Sequence, residues 1–307
     1  MRKLLAILVL FIFLSCQFGY VPDLFPKEDQ FEDAVKLEKR SEDGVYRFLV
    51  LTDAHFDRES EDDGVHHYLD SFNDFYTSYG KVIDAVFLLG DMMDRTDEAS
   101  KQKFISFVRS SLKSKDIPII YAIGNHETEH NSYEEWEGIF TEEEKELFSS
   151  FSRMARYSIG NVSIYKLDSA LRTFGPYQLG QVEKHLKSDD DGKYRIYLSH
   201  IPLASDSLDM SLFQFTFASQ EERARMLRLM GKWGKSWYFA GHHHIGNIAT
   251  VFSDESKAFT FSSFHRRDSS LESKGYWYIV ELGEEDGKLN IFPYFAETGE
   301  ALDNVEL

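Results

Sequence analysis

The sequence predicts an α/β fold with two β-sheets packed on each other. Three observations lead there. Up to residue 240, short apolar runs alternate with longer amphipathic stretches, the pattern of strands and helices in turn. Beyond residue 247 the strand-like runs follow one another closely with few helical stretches between, as a second sheet requires. Aromatic residues are abundant, with 26 Phe and 16 Tyr in 307 residues, and aromatics favour the half-buried surfaces of strands.

The chain starts with a basic Met1–Arg2–Lys3, an unbroken apolar run of eleven residues at 4–14, and then Ser15 and Cys16. This is the layout of a secretory signal, and it is too short to span a bilayer comfortably as a helix. The order Phe13, Leu14, Ser15, Cys16 resembles a bacterial lipobox, with Phe13 departing from the usual Leu. The resemblance implies cleavage before Cys16, acylation of its thiol and amine, and an exported protein anchored to the periplasmic or cell-surface face of a membrane. Residues 17–44 read as an acidic tether, with 28–40 able to form a short helix. The domain proper is expected over 45–307.

Within it, 46–51, 82–89, 117–123, 194–198 and 237–240 read as buried strands, and 65–79, 99–113 and 220–230 as amphipathic helices. Ser132 with Glu135, Thr141 with Glu144 and Ser219 with Glu222 have the spacing of capping boxes. Residues 248–252, 258–262, 276–282 and 288–293 form the later strand group, with 284–287 as a hairpin loop.

Composition bounds the function. Hydrophobic residues are 42% and charged residues 28%, so most of the chain can fold around a core. A formal charge of −18 repels nucleic-acid phosphates at long range, and no strong nucleic-acid signal is present. Cys16 is the single cysteine, which rules out an intramolecular disulfide. No nucleophile elbow or phosphate-cradling glycine loop occurs.

The chemistry sits at the strand ends. "LTDAHFD" carries Asp53 and His55, and "LLGDMMD" carries Asp91 and Asp94. "AIGNHE" carries Asn125, His126 and Glu127, "LSHIP" carries His200, and "AGHHHIG" carries His242, His243 and His244. Ligand sites in open α/β sheets lie beyond the carboxyl ends of the strands. Carboxylate, amide oxygen and imidazole without thiolate suit divalent transition metals, and there are too many ligands for one structural ion. A pair of metals sharing a carboxylate fits better. Glycines 90, 124 and 241 allow a sharp turn or a close approach at that edge.

These five motifs, in order over about 46–244, resemble the calcineurin-like metallophosphoesterase family, whose pattern is D-x-H, G-D-x-x-D, G-N-H-E/D, a lone His and G-H-x-H. The stretch 178–186 resembles the family's helix after the sheet crossover, with His185 where an aromatic often stands. The resemblance implies a four-layer α/β/β/α sandwich of two mixed sheets and two divalent metal ions of the Mn, Fe, Zn, Co or Mg class. It implies hydrolysis of a phosphorylated small molecule or other phosphoester, monoester or diester, by metal-bound hydroxide. By position, Asp53, His55 and His244 would hold one metal, Asp91 would bridge, and Asn125, His200 and His242 would hold the other. His126 would assist the phosphate or leaving group, and Asp94 and Glu127 would orient the imidazoles. Asp94 stands where the purple acid phosphatase branch has a tyrosine, so iron–tyrosinate chemistry is not implied.

Two alternatives stand beside this reading: a non-catalytic surface lipoprotein that uses the fold to bind a partner, and a nucleotide phosphodiesterase or nuclease. Residues 205–218 read either as a lid or as a loop packed on the core. Arg58 and Arg95 read as solvated surface residues, with contact to a substrate phosphate as the alternative. His66, His67, His130 and His265 have no motif behind them and read as surface residues or as neighbours of the ligands.

Overall fold

A computed structural model describes residues 31–58, 64–113, 116–128, 131–188, 192–204, 219–244, 247–267 and 273–307. Cys16 and the N-terminal stretch expected to be a signal, residues 205–218 and His130 lie outside the described residues. In chain order the strands and α-helices begin with β1 (Phe31–Lys36), β2 (Val45–Leu51), α1 (Leu69–Tyr79), β3 (Ala85–Leu88), α2 (Glu98–Phe107), β4 (Ile119–Tyr121), α3 (Tyr133–Gly138) and α4 (Glu142–Lys145). They continue with β5 (Met154–Ile159), β6 (Val162–Lys166), α5 (Gln178–Leu186), β7 (Tyr194–Leu198), α6 (Gln220–Lys232) and β8 (Ser236–Ala240). The last are β9 (Ile248–Val251), β10 (Ser256–Thr260), β11 (Arg266–Arg267), β12 (Ser273–Lys274), β13 (Tyr276–Gly283), β14 (Leu289–Phe295) and β15 (Val305–Glu306).

Among the described residues, one sheet runs β15-β14-β13-β2-β3-β4 and the other β1-β5-β6-β7-β8-β10-β9, with β11 and β12 paired apart. Both large sheets are mixed, because β2, β3 and β4 are parallel while β13 is antiparallel to β2, and β5–β6 is antiparallel beside parallel β6–β7–β8. Three apolar layers account for the stacking. Phe48 and Val50 of β2 face Ile164, Ile196 and Phe239 between the sheets, while Leu49 and Leu51 point the other way onto Phe72 and Phe104 of α1 and α2. Tyr165, Tyr197 and Tyr238 cover the far side of the second sheet beneath Leu179, Val182 and Met226. Strands buried on both faces show no polar alternation, so their sequences read as continuous apolar runs. The architecture is the expected α/β/β/α sandwich.

Several expectations need correction. Part of the stretch 28–40, expected as a helix in a tether, is strand β1, which pairs in parallel with β5, so the domain starts earlier than residue 45. Phe31 is buried and packs edge-on to His185 at 5.0 Å, a hydrophobic contact that favours docking over solvation. The early and late strand groups do not form separate sheets. β13 and β14 extend the sheet of β2, and β9 and β10 extend that of β8. The hairpin β5–β6 was not foreseen. Two capping boxes close as expected, at Ser132 and Thr141. At Ser219 only half forms, because Glu222 accepts from Thr173 Oγ1 at 2.7 Å and the Phe174 amide at 3.2 Å instead. Among the described residues no helix is long and apolar enough to cross a membrane.

Lys166, at the end of β6, is fully buried, and its Nζ donates to the Ser150 carbonyl at 2.9 Å. Burial pushes its pKa down to about 7, against the pull of Glu32 and Asp168. The folded chain therefore disfavours the charged amine below the unfolded pKa of 10.5, in full below about pH 7 and progressively less as pH rises to 10.5. Lys166→Met is expected to stabilise the protein at pH 7 by on the order of 3 kcal/mol and to flatten the rise in stability between pH 7 and 10. Urea denaturation at both pH values checks this, and an unchanged slope would refute it.

Candidate metal centre

Loops that follow five strands, three from one sheet and two from the other, meet at one edge of the sandwich. Backbone hydrogen bonds tie them together: the Asp53 amide donates to Gly90 O, His55 to Asp91 O, Gly241 to His200 O and His265 to Asp53 O, at 3.0–3.1 Å. Asp53, His55, Asp91, His242 and His244 all hold left-handed backbone, with φ between 45° and 72°. Such conformations are costly for residues with a Cβ and persist where the surroundings over-determine them, commonly at functional sites. Gly124 and Gly241 allow the closest approaches, since a Cβ at the first would strike Asp91 Oδ1 and at the second Thr52 Oγ1 and Asp53 Oδ2.

Of three clusters of ligand-type atoms, each within 4.8 Å, one is His55, Asp94 and His126, and two carry the expected ligands: Asp53, His55, Asp91 and His244, and Asp91, His200 and His242. Asp91 belongs to both. Asn125 joins the second, its Oδ1 lying 3.2 Å from His200 Nε2. The donor chemistry is telling. His200 Nδ1 lies 2.8 Å from the Leu89 carbonyl, which can only accept, so Nδ1 carries the proton. A neutral His200 then turns the lone pair of Nε2 toward Asp91 Oδ2 at 3.1 Å and Asn125 Oδ1 at 3.2 Å, both acceptors. Three acceptors aimed at one another call for a cation. A proton can substitute for it: burial disfavours charge on His200, yet Asp91, Asp53 and Glu127 raise its pKa to about 9. Burial opposes ionisation of Asp91 too, but the His200, His126 and His55 rings hold it well below the usual carboxylate range.

The other cluster shows the same convergence. His55 Nε2 and His244 Nε2 lie 3.0 Å apart, and His244 Nε2 lies 3.2 Å from Asp53 Oδ1. Burial pushes His55 down to about 3, so it presents neutral imidazole, the form that binds metals. Asp94 Oδ1 approaches His55 Nδ1 at 3.3 Å, close enough to pair but misaligned for a hydrogen bond. Asp94 thus sits where it can orient His55, and it lies 3.8 Å from His126 Nδ1. His126 is 24% exposed in its side chain, and its Nδ1 lies 3.0 Å from the Asp94 carbonyl, which makes Nδ1 the protonated nitrogen and Nε2 the one available for proton exchange.

Glu127 departs from expectation. It touches no imidazole. Its carboxylate accepts from the amides of Asp91, Met92, Met93 and Gly124 and from Tyr121 Oη, at 2.8–3.2 Å. It shapes the loops that carry ligands rather than the ligands' rings. Sequence reasoning also missed Ser169, whose Oγ accepts from the His200 and Ile201 amides at 3.2 and 3.0 Å. The run Lys166–Leu167–Asp168–Ser169 ends β6 with polar residues, like the five motifs, and was the available signal. His265 is buried beside the site, and His66 is exposed.

The family model for calcineurin-like phosphoesterases matches residues 46–246. Among solved structures, the purple acid phosphatase PPD1 from yellow lupin (Lupinus luteus) seeds matches with a TM-score of 0.56 and 14% identity, covering 85% of this chain and 53% of that one. The chain thus spans about half the length of the lupin enzyme. A putative 5'-nucleotidase from Staphylococcus aureus matches with a TM-score of 0.49 and 14% identity, over 86% of this chain and 54% of that one. Wild-type Vps29 from Entamoeba histolytica, complexed with zinc, matches at 0.43 and 13%, over 85% and 98%. No curated protein matches. With the profile covering well over half of the chain and the sandwich matching in fold, the chain belongs to the calcineurin-like phosphoesterase family.

Proposed function

We propose that the protein hydrolyses phosphoesters at a centre of two divalent metal ions. The observation that carries this reading is Asp91, whose carboxylate belongs to both clusters of motif ligands. Asp53, His55, Asp91 and His244 would hold one ion, and Asp91, Asn125, His200 and His242 the other. When bound, the pair supplies positive charge for the phosphate oxygens and activates water for in-line attack. Asp53 and Asp91 offset that charge, and Asp94 orients His55. Asp94 offers a carboxylate and no phenolate, so the chemistry of the purple branch is not part of this proposal.

His126 in its protonated, imidazolium form donates a proton or hydrogen bond to the leaving oxygen from Nε2–H, its Nδ1–H being held by the Asp94 carbonyl. Turnover of 4-nitrophenyl phosphate and bis(4-nitrophenyl) phosphate by protein reconstituted with Mn²⁺ or Zn²⁺, and its loss on chelation, tests the proposal. Metal-loaded protein inert toward both esters would overturn it in favour of a binding role. His126→Ala is expected to keep its metals and lose about 10²–10⁴ in kcat, less for esters with good leaving groups. An equal loss across leaving groups would leave His126 only a positioning role.

A further inference from the structure

We propose that Ser169 is the positioning residue for one half of the metal centre. It fixes His200 and, through it, His242, and so decides whether the ion held by Asp91, Asn125, His200 and His242 binds beside the other. This rests on the two-metal centre proposed above.

The need for such a residue arises where β7 ends. The ladder of the second sheet runs on for one step past its strands, with the Leu167 amide donating to Leu198 O at 2.9 Å and the Ser199 amide to Phe239 O at 3.0 Å. The next two amides, of His200 and Ile201, belong to fully buried residues. Both donate to one side-chain oxygen, Ser169 Oγ, at 3.2 and 3.0 Å. Ser199 Oγ lies 2.7 Å from the same atom. Buried amides without an acceptor are costly, so the ligand loop closes around this hydroxyl, which takes the place of a ladder partner.

Ser169 can act as a fixed point because its neighbours are pinned. The buried Asp168 carboxylate accepts from Arg153 Nε and Nη2 at 2.9 and 2.7 Å, from Tyr133 Oη at 3.0 Å and from the Ala170 amide at 3.0 Å. The Gln178 side chain bonds both the amide and the carbonyl of Asp168, at 2.9 and 2.7 Å. The Ser169 carbonyl accepts from the Arg172 amide at 2.7 Å. The end of β6 therefore holds still, and the His200 loop is fitted to it.

The effect is confined to one half. His200 Nε2 faces Asp91 Oδ2 at 3.1 Å and Asn125 Oδ1 at 3.2 Å. The His200 carbonyl accepts from the amide of Gly241, the residue before His242, at 3.0 Å. A shift of the His200 main chain thus moves both imidazoles of this half. The other half is tied elsewhere: the Asp53 amide donates to Gly90 O, the His55 amide to Asp91 O, and Ser262 Oγ donates to His244 O at 2.7 Å. Ser169 takes no part in these bonds.

The test titrates Mn²⁺ into metal-free full-length protein. Calorimetry reads stoichiometry and affinity, and electron paramagnetic resonance tells a coupled ion pair from an isolated ion. Ser169→Ala is expected to keep the ion at Asp53, His55, Asp91 and His244 and to weaken the other by about 10–100-fold, the usual cost of losing an outer partner of a metal ligand. The signal of the coupled pair should then give way to that of an isolated ion. Ser169→Cys fills the volume but is a weak acceptor, and it is expected to show the same selective loss even where Ser169→Ala disturbs folding. A general loss of stability weakens both sites alike. That result, or a coupled pair at wild-type affinity in either folded variant, overturns the proposal. Wild-type protein that binds fewer than two ions overturns the two-metal centre itself, and this inference with it.

Discussion

Asp91→Asn is expected to strip the centre of metal and abolish nearly all hydrolysis. The amide is close in shape, and its oxygen can still accept from the His126 amide, which Asp91 Oδ1 does at 2.8 Å. The fold should therefore survive. What is lost is the anion common to both clusters, and an NH₂ donor now faces the site where His200 Nε2 lies 3.1 Å from Oδ2. Metals contribute several kcal/mol of charge stabilisation to such reactions, and each 1.36 kcal/mol is tenfold, so turnover should fall by about 10³-fold or more. Elemental analysis and initial rates check this together. A variant that keeps two metals per chain and normal turnover would show that the assigned centre is wrong.

The second large effect is structural. Burial and the Asp91 charge raise the pKa of Glu127, so keeping its carboxylate inside the fold is costly. Four backbone amides and the Tyr121 phenol offset that cost. Glu127→Ala leaves those donors without an acceptor, at about 1–3 kcal/mol each, which approaches the whole stability of a domain. Glu127→Gln keeps one accepting oxygen and turns an NH₂ group toward amides that need an acceptor. Its expected loss is about 2–4 kcal/mol, with weaker metal binding because the Asp91 and Gly124 loops lose their common anchor. Urea denaturation and metal titration read the two effects. Wild-type values in both for Glu127→Gln would refute the anchoring role.

Much of the site was legible because each ligand stands next to a strand end. A buried strand shows as an apolar run, and where the run stops, Asp, Asn and His in short fixed spacings identify the chemistry. Asp53, His55, Asp91, Asn125, His200, His242 and His244 could therefore be named from the sequence, and all are drawn to one edge. Roles that depend on direction were less legible. Glu127 follows His126 in the chain, yet its carboxylate turns to backbone amides rather than to a ring. His265 has no motif, because it lies far along the chain and reaches the site only through pairing of the Phe264 and His265 amides with Thr52 and Asp53.

By itself, the sequence determined most of the element types through local periodicity, and the motifs at the strand ends, through the family they resemble, pointed to the α/β/β/α class and the candidate ligands, whereas strand β1 and the β5–β6 hairpin escaped it. Only the tertiary structure decided which strands share a sheet. β13 lies beside β2 although more than two hundred residues separate them, and β1 becomes an edge strand instead of a tethered helix. Register and partner choice depend on side-chain packing between distant segments, such as Phe48 and Val50 against Ile164 and Phe239, and no local window contains both sides of that contact. The same long-range packing brings three loops from one sheet and two from the other to a common edge, which turns five separate motifs into one centre.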